Sequence, residues 1–364
     1  MGIALGAQHS ERSGRCRMTR GFESLLALPE QDRRDVFEAA ASRLDTLPGY
    51  VEKDFWVCLV LDALFIRRPE GHPRLLFKGG TSLSKAFGLI NRFSEDIDLV
   101  VSREGLGFEG ERDPTAASRL SNKKRAALFR ELKSACGGYI RGALRTALAS
   151  RIDELSAGCQ IVPDEGDVDG QTLFIEYPSL FPSGGVPYVA PRVKIEAGAR
   201  SALEPSQDCE ITPFIAVELS DWSFASEDIR VISPKRTYWE KLLILHGVHC
   251  GYRDSGRLPT DKDRISRHYY DVAMITVTEV GRSAMVDTQL LDAVRNHNLV
   301  AFRQAWKRFD EAVPGSVRLV PQAELRTVIE RDYRAMQGMV LGEAPDFGWV
   351  TEQLRIAEAA VNRT

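Results

Sequence analysis

Apolar and polar positions alternate in blocks along this chain, and the period changes from block to block. "LPEQDRRDVFEAAASRLD" repeats with helical spacing and predicts a helix starting near Pro29. "YVEKDFWVCLVLDALF", residues 50–65, predicts a second helix with a broad apolar face. "RLLFKGG" is short, apolar and closed by two glycines, the pattern of a buried strand running into a turn. "TSLSKAFGLI" predicts a helix whose first hydroxyl residues suit an N-cap. "SEDIDLVV" alternates and then turns fully apolar, as a half-buried strand does.

Residues 103–120 are rich in glycine, charge and proline and predict a loop. "NKKRAALFRELKSACGGYIRGALRTALASRIDEL" predicts a long helix with a glycine pair in its middle. "TLFIEYPSL" and "YVAPRVKIEAGAR" predict strands separated by the turn "FPSGG", and "PFIAVELSDWSF" and "IRVISP" predict two more. From "KRTYWEKLLILHGVHCGY" onward the pattern is helical to the end, and no internal repeat is visible. The order predicts an α+β (α/β) fold: leading helices, a small mixed sheet with inserted helices, and a helical C-terminal domain. We place a disordered lead-in at 1–20, a core with N-terminal helices at 21–233 and the helical domain at 234–364, with the boundary near Pro234.

Composition narrows this picture only slightly. The 364 residues allow two or three modest domains. With 43% hydrophobic and 27% charged residues, the chain fits a soluble globular protein, and a net charge of −3 does not demand nucleic acid as a partner. The opening "MGIALGAQHSERSGRCRMTR" lacks the apolar core and cleavage site of a signal peptide, and Met18 is an alternative start. Cys16, Cys58, Cys136, Cys159, Cys209 and Cys250 are scattered without a CxxC pair, which predicts reduced thiols in a cytoplasmic protein. No apolar run is long enough to span a bilayer.

The chemistry concentrates between Phe77 and Val101. Residues two apart in a strand face the same way, so Asp96 and Asp98 project from one face. Two carboxylates this close repel unless a cation lies between them, and their oxygens favour hard ions such as Mg²⁺, with Mn²⁺ as an alternative. The plain alternative is the polar face of an edge strand. Upstream, Gly79 and Gly80 let backbone approach a ligand closely, and Thr81 and Ser82 add hydroxyls at a helix start, a combination that suits phosphate. A phosphate cradle beside a carboxylate pair is the arrangement of metal-assisted phosphoryl or nucleotidyl transfer. Lys85 either reaches a nucleotide or covers the sheet. In "YWEKLLILHG", Glu240 and Lys241 are expected to open a helix, where Lys241 would act as a point charge on a triphosphate or leaving group, or is a surface lysine. Arg267 and Asp271 lie four apart on one helical face, the spacing of an ordinary ion pair as well as of a site.

Two further clusters carry less. "HGVHC" supplies His246, His249 and Cys250 but no fourth zinc ligand and no HExxH base. "NKKRAALFRELK" is basic and amphipathic, either a solvated helix face or a contact for an RNA acceptor.

The stretch "FKGGTSLSKAFGLINRFSEDIDL" resembles the first motif of the nucleotidyltransferase superfamily that includes DNA polymerase β, and more narrowly the AbiEii-type toxins of type IV toxin–antitoxin systems. The glycine turn and the DxD are further apart than in the minimal superfamily pattern, in the manner of the AbiEii branch. "VEKDFWVCLVLDALF" resembles that branch's leading helix, and "PKRTYWEKLLILHG" and "RISRHYYDVAMI" resemble its later motifs. The resemblance covers roughly residues 45–275 and is not traced into the last ninety or so. It implies a polymerase β-like core and a third carboxylate on a neighbouring strand. Glu196 in "RVKIEAG" is the candidate, with pairing to Lys194 as the alternative. It also implies an arginine and an aspartate near the nucleotide, here Arg267 and Asp271, a serine beside the metal at Ser94, and Lys235 as a competitor to Lys241. Together these imply a Mg²⁺-dependent enzyme that moves NMP from an NTP to an acceptor hydroxyl, the tRNA 3′ end foremost, blocks translation, serves phage defence and is restrained by a cognate antitoxin. A nucleotidyl- or phosphotransferase acting on a protein or small molecule, and a non-catalytic nucleotide-binding module, are the alternatives.

Overall fold

The computed structural model describes residues 20–66, 69–94, 96–116, 120–155, 157–181 and 190–363. The expected lead-in, apart from Arg20, and the "FPSGG" turn, apart from Phe181, lie outside the described residues.

Three helices come first: α1 (Arg20–Leu26), α2 (Glu30–Arg43) and α3 (Pro48–Phe65). Every residue from Tyr50 to Leu64 of α3 is buried, the burial expected of a helix that runs through a core rather than over it. Its charged side chains are therefore partnered. Glu52 accepts from the Leu180 backbone N–H at 2.7 Å, and Asp62 accepts from Ser226 Oγ at 3.0 Å.

The sheet follows. Strands β1 (Leu75–Lys78) and β2 (Asp96–Val101) flank the short helix α4 (Gly79–Lys85). Next come α5 (Asn122–Tyr139) and α6 (Arg145–Glu154), joined by a π turn at Ile140–Leu144. Leu128, Leu132, Cys136, Ile140, Leu144, Leu148 and Ile152 are all buried, a stripe of strict four-residue spacing. A regular helix would rotate such a stripe off the core, and the wider π turn reduces that drift. Strands β3 (Gln160–Pro163), β4 (Thr172–Glu176), β5 (Arg192–Gly198), β6 (Ser206–Ile211) and β7 (Ser226–Ile232) complete a mixed seven-stranded sheet of order β3-β4-β5-β2-β1-β7-β6. Strands β2 and β5 are parallel, and β1 is antiparallel to β2.

The remainder is helical: α7 (Pro234–Ser255), α8 (Ser266–Thr276), α9 (Glu279–Met285), α10 (Thr288–Ala301), α11 (Ala323–Met336) and α12 (Phe347–Arg363). One apolar core runs from Phe22 to Val231; a second runs from Tyr238 to Val361 and includes Leu83 and Ile90. Backbone bonds tie the second region to the first. Phe93 donates to the Met339 carbonyl at 2.6 Å and Leu341 donates to the Asn91 carbonyl at 2.7 Å. Among the described residues, no helix is long and apolar enough to cross a membrane.

Several local expectations are corrected. "PFIAVELSDWSF" is not a strand: Phe214–Val217 forms a 3-10 turn, and the strand lies just before it at Ser206–Ile211. Asp54 fixes that turn by accepting the Phe214 N–H at 2.7 Å. The helix after the glycine pair ends at Lys85 rather than near Ile90, with Gly88 in the left-handed region at φ 58°. Glu240 and Lys241 do not open a helix. The helix begins at Pro234, where proline's missing N–H costs nothing, and Lys241 sits two turns inside.

Candidate active site

The register of three strands builds the site. Asp98 of β2 lies opposite Lys78 of β1 and beside Glu196 of β5, while Asp96 lies beside Lys194. Side chains in register share a face. Asp96, Asp98, Glu196, Lys78 and Lys194 therefore project together, and Ile97, Leu99, Val193 and Ile195 go to the core behind them. Glu196 keeps both roles considered for it: it stands in register with Asp98, and it ion-pairs with Lys194 while remaining 46% exposed.

Asp98 is half-buried, and burial pushes its carboxyl above the usual carboxylate range. Lys78 opposes that shift, Glu196 adds to it, and Lys241 and Arg267 oppose it. These four side chains bear on one carboxylate from four elements, β1, β5, α7 and α8.

Gly79 makes the approach possible. Its φ is +84°, and a Cβ there would run into the Asp98 carboxylate. At Gly80 a Cβ would meet the Arg92 guanidinium and Ser94 Oγ. The two glycines thus let the start of α4 close down on the carboxylate and on Arg92. Thr81 and Ser82 are buried, and their hydroxyls are taken up inside the fold. Thr81 donates to the Asp96 carbonyl and lies 2.9 Å from Ser94 Oγ, while Ser82 donates to the Gly79 carbonyl at 2.9 Å. Their observed contacts pin the glycine turn to the approach to β2. Lys85 points away from the carboxylates. Its ammonium sits 2.7 Å from Asp54 and 4.0 Å above the Phe214 ring.

Behind Asp98 lies a buried charge cluster. Asp271, with no exposed side-chain surface, accepts from Arg92 Nε at 2.7 Å and Nη2 at 2.8 Å, and pairs with Lys241 Nζ at 2.8 Å. Burial alone would raise the Asp271 carboxyl, but Arg92 and Lys241 hold it well below the usual range. Burial lowers Lys241, and neighbouring Arg92 and Arg267 lower it further against the pull of Asp271. His268 lies 3.5 Å from Lys241 Nζ and is held neutral by burial and these cations. Arg267 Nε is buried and has no hydrogen-bond partner among the described residues. Two cations thus share one fully buried carboxylate, and Lys241, with Arg267, also bears on Asp98.

The structure therefore brings Asp96, Asp98, Glu196, Lys241, Asp271, Arg267, Gly79, Gly80 and Ser94 to one locality, and turns Lys85 elsewhere. Lys235 is half-buried near the start of α7, two turns before Lys241. Sequence reasoning missed Arg92, Lys78 and His268. Arg92 carried a signal, being a lone cation in the largely apolar approach to the DxD, but its partner Asp271 lies 179 residues away. His246, considered for zinc, is buried: the Arg318 N–H donates to its Nδ1 at 3.2 Å, which leaves Nε2 to donate to the Arg308 carbonyl at 3.2 Å.

Carboxylate oxygens are the donors in this cleft. Among the described residues no three His, Cys, Asp or Glu side chains form a ready cage. Mg²⁺ does not need one, because it takes one or two protein carboxylates and fills its shell with water and phosphate oxygens. Asp98 with Asp96 or Glu196 meets that requirement.

No curated protein matches the chain. Among solved structures it is similar to MenT4, a nucleotidyltransferase toxin from Mycobacterium tuberculosis H37Rv, with 16% identity and a TM-score of 0.43 over 92% of this chain and 99% of that one. The family model of the nucleotidyl transferase AbiEii toxin, type IV toxin–antitoxin system, matches residues 60–354. That span takes in the glycine turn, the DxD, Glu196 and the Arg92–Asp271–Lys241 cluster, and the chain belongs to the AbiEii family of nucleotidyltransferase toxins.

Proposed function

We propose that this cleft transfers a nucleoside monophosphate from an NTP to the 3′-terminal hydroxyl of tRNA, and so blocks translation until a cognate antitoxin restrains it. The observation that carries the reading is the register that sets Asp98 beside Glu196 while Lys241 and Arg267 bear on the same carboxylate. The acceptor oxygen forms a bond to the α-phosphorus, the bond from that phosphorus to the bridging oxygen breaks, pyrophosphate leaves, and the hydroxyl proton passes to water. Asp96, Asp98 and Glu196 would hold Mg²⁺, which when bound offsets charge on the phosphate oxygens. Lys241 and Arg267 meet the negative charge of the departing pyrophosphate in a site where water is scarce, and such charges act strongly there. Arg92 holds Asp271 through two parallel bonds, and Asp271 in turn fixes the Lys241 ammonium.

The test incubates the purified protein and total RNA with NTPs labelled at the α- or the γ-phosphate. Label should enter a tRNA-sized species from the α position alone, and Asp96→Ala/Asp98→Ala should abolish it. Transfer of γ label would make the enzyme a phosphotransferase. Absence of transfer, or equal transfer by the double variant, removes the reading.

A further inference from the structure

A cleft of about 450 Å³ opens over Lys78, Asp98 and Glu196 and extends past Thr172 and Asp169 to Arg200 and Phe302. That is within the range of about 300–1,000 Å³ typical of small-ligand sites. Its wall holds an arginine in an unusual setting. The Arg200 guanidinium lies 4.8 Å from the ring centre of Phe129 on α5 and 5.5 Å from that of Phe302 at the end of α10. Its Nε is buried without a hydrogen-bond partner among the described residues, and burial lowers its pKa, with Asp169 as the opposing charge. The backbone beneath it is fastened: Arg103 donates to the Ser201 carbonyl at 2.7 Å, and His297 Nε2 lies 3.0 Å from the Arg200 carbonyl. Desolvated, stacked and short of acceptors, this cation is placed to receive an anion.

Strand register says which anion. The chain leaves β1 at Gly79 on the N-terminal side of Asp98, where Ser94 and Arg92 also lie. Strand β5 runs parallel to β2, so Arg200, four residues beyond Glu196, lies on the C-terminal side. Attacking and leaving oxygens stand roughly in line across the reacting phosphorus. With pyrophosphate leaving toward Lys241 and Arg267, the acceptor enters from the Arg200 side. We infer that the Arg200–Phe129–Phe302 cluster is the acceptor subsite, which takes the unpaired 3′ end of an RNA with a backbone phosphate on Arg200 and a base against Phe302. Stacking tolerates any base, so the subsite reads a single-stranded end rather than a sequence. This rests on the transfer reaction proposed above and assigns the acceptor's seat within it.

The test measures two affinities of the full-length protein: for a short, 5′-labelled single-stranded RNA with a free 3′ hydroxyl, by fluorescence anisotropy, and for NTP analogues that cannot be cleaved at the α–β bridge. Arg200→Ala and, separately, Phe302→Ala should each weaken RNA binding about ten-fold and leave NTP affinity within about two-fold. Arg200→Ala should also lower the slope of log affinity against log salt by about 0.7, the loss of one phosphate contact. Arg200→Lys should recover the salt slope but not the full affinity, since an ammonium does not stack as a planar guanidinium does. RNA affinity unchanged in both alanine variants, NTP affinity falling in parallel with it, or a wild-type protein that binds no RNA overturns the subsite. RNA binding that depends on Arg200 without label transfer leaves the subsite standing and removes the transfer reaction. Transfer that is indifferent to Arg200 does the reverse.

Discussion

Asp54 and Asp271 are both buried aspartates bridged to a buried lysine, Asp54 to Lys85 at 2.7 Å and Asp271 to Lys241 at 2.8 Å. Their surroundings differ. The Asp54 pair is balanced, one charge against one, and sealed between α3 and α4 by Phe214 and Cys58. Burial raises the Asp54 carboxyl, and although burial would lower Lys85, Asp54 and Cys58 more than offset it. Around Asp271 the count is uneven, with Arg92 and Lys241 on one carboxylate, and Lys241 and Arg267 also bear on Asp98. A balanced buried pair joins two helices. An unbalanced one is costly by itself, and a polyanion bound beside it would relieve the cost.

The largest test replaces each cluster with apolar side chains of similar volume, a change that buried ion groups often tolerate. Arg92→Met/Lys241→Met/Asp271→Leu should keep a cooperative fold by circular dichroism and lose about 10²–10³-fold in nucleotidyl transfer. Asp54→Leu/Lys85→Met should transfer at close to the wild-type rate. A triple variant that remains active, or an inactive but folded double variant, would erase the contrast.

Single truncations probe it next. Asp271→Ala strands two cations and should cost about 3–5 kcal/mol in denaturant unfolding, with Asp54→Ala at the lower end of that range. Saturating NTP should return part of the loss to Asp271→Ala, beyond its effect on wild type, and nothing extra to Asp54→Ala. Equal rescue of both would show that the surplus charge does not meet the nucleotide.

A smaller effect sits at the glycine turn. Gly79→Ala combines a left-handed backbone with a collision at Asp98, and should cost about 1–3 kcal/mol in the same unfolding assay together with most of the transfer rate. Gly71, also left-handed but facing open space, should lose stability on the same substitution and keep the rate.

The finest test is pH. Asp271 titrates below its ordinary 3.8, so its stabilisation is full above 3.8 and is lost as pH falls through the lower folded value. Asp54 titrates above 3.8, so the cost of its charge is full above that raised value and relaxes as pH falls toward 3.8. Melting temperatures from pH 7 to pH 4 should show wild type gaining on Asp54→Asn and holding level against Asp271→Asn. Parallel curves would mean that the two carboxylates titrate alike.

The same contrast explains what the sequence could disclose. Asp96, Asp98 and Glu196 obey the two-residue period of a strand, so their shared face was legible once the strands were placed. The class of fold was legible too, because the helical and strand periods separate cleanly along the chain. Lys85 was not resolved: whether a helical lysine looks at the sheet or at α3 depends on an aspartate 31 residues earlier. Thr81 and Ser82 look like ligands to a reader of sequence because hydroxyls suit phosphate, but backbone carbonyls claimed them first. Arg92 escaped notice because its meaning lies in Asp271, and no local period links residues so far apart.

The strap that joins Asn91 and Phe93 to Met339 and Leu341 has one more consequence. It grips the backbone on either side of Arg92, and its second half is made late. A polypeptide emerging from the ribosome completes the sheet and the DxD long before residue 339 exists. Until then the segment carrying Arg92 has no backbone to pair with, and the charge cluster behind Asp98 is unsupported. Order of synthesis thus makes the clasp around Arg92 one of the last contacts that this chain can form.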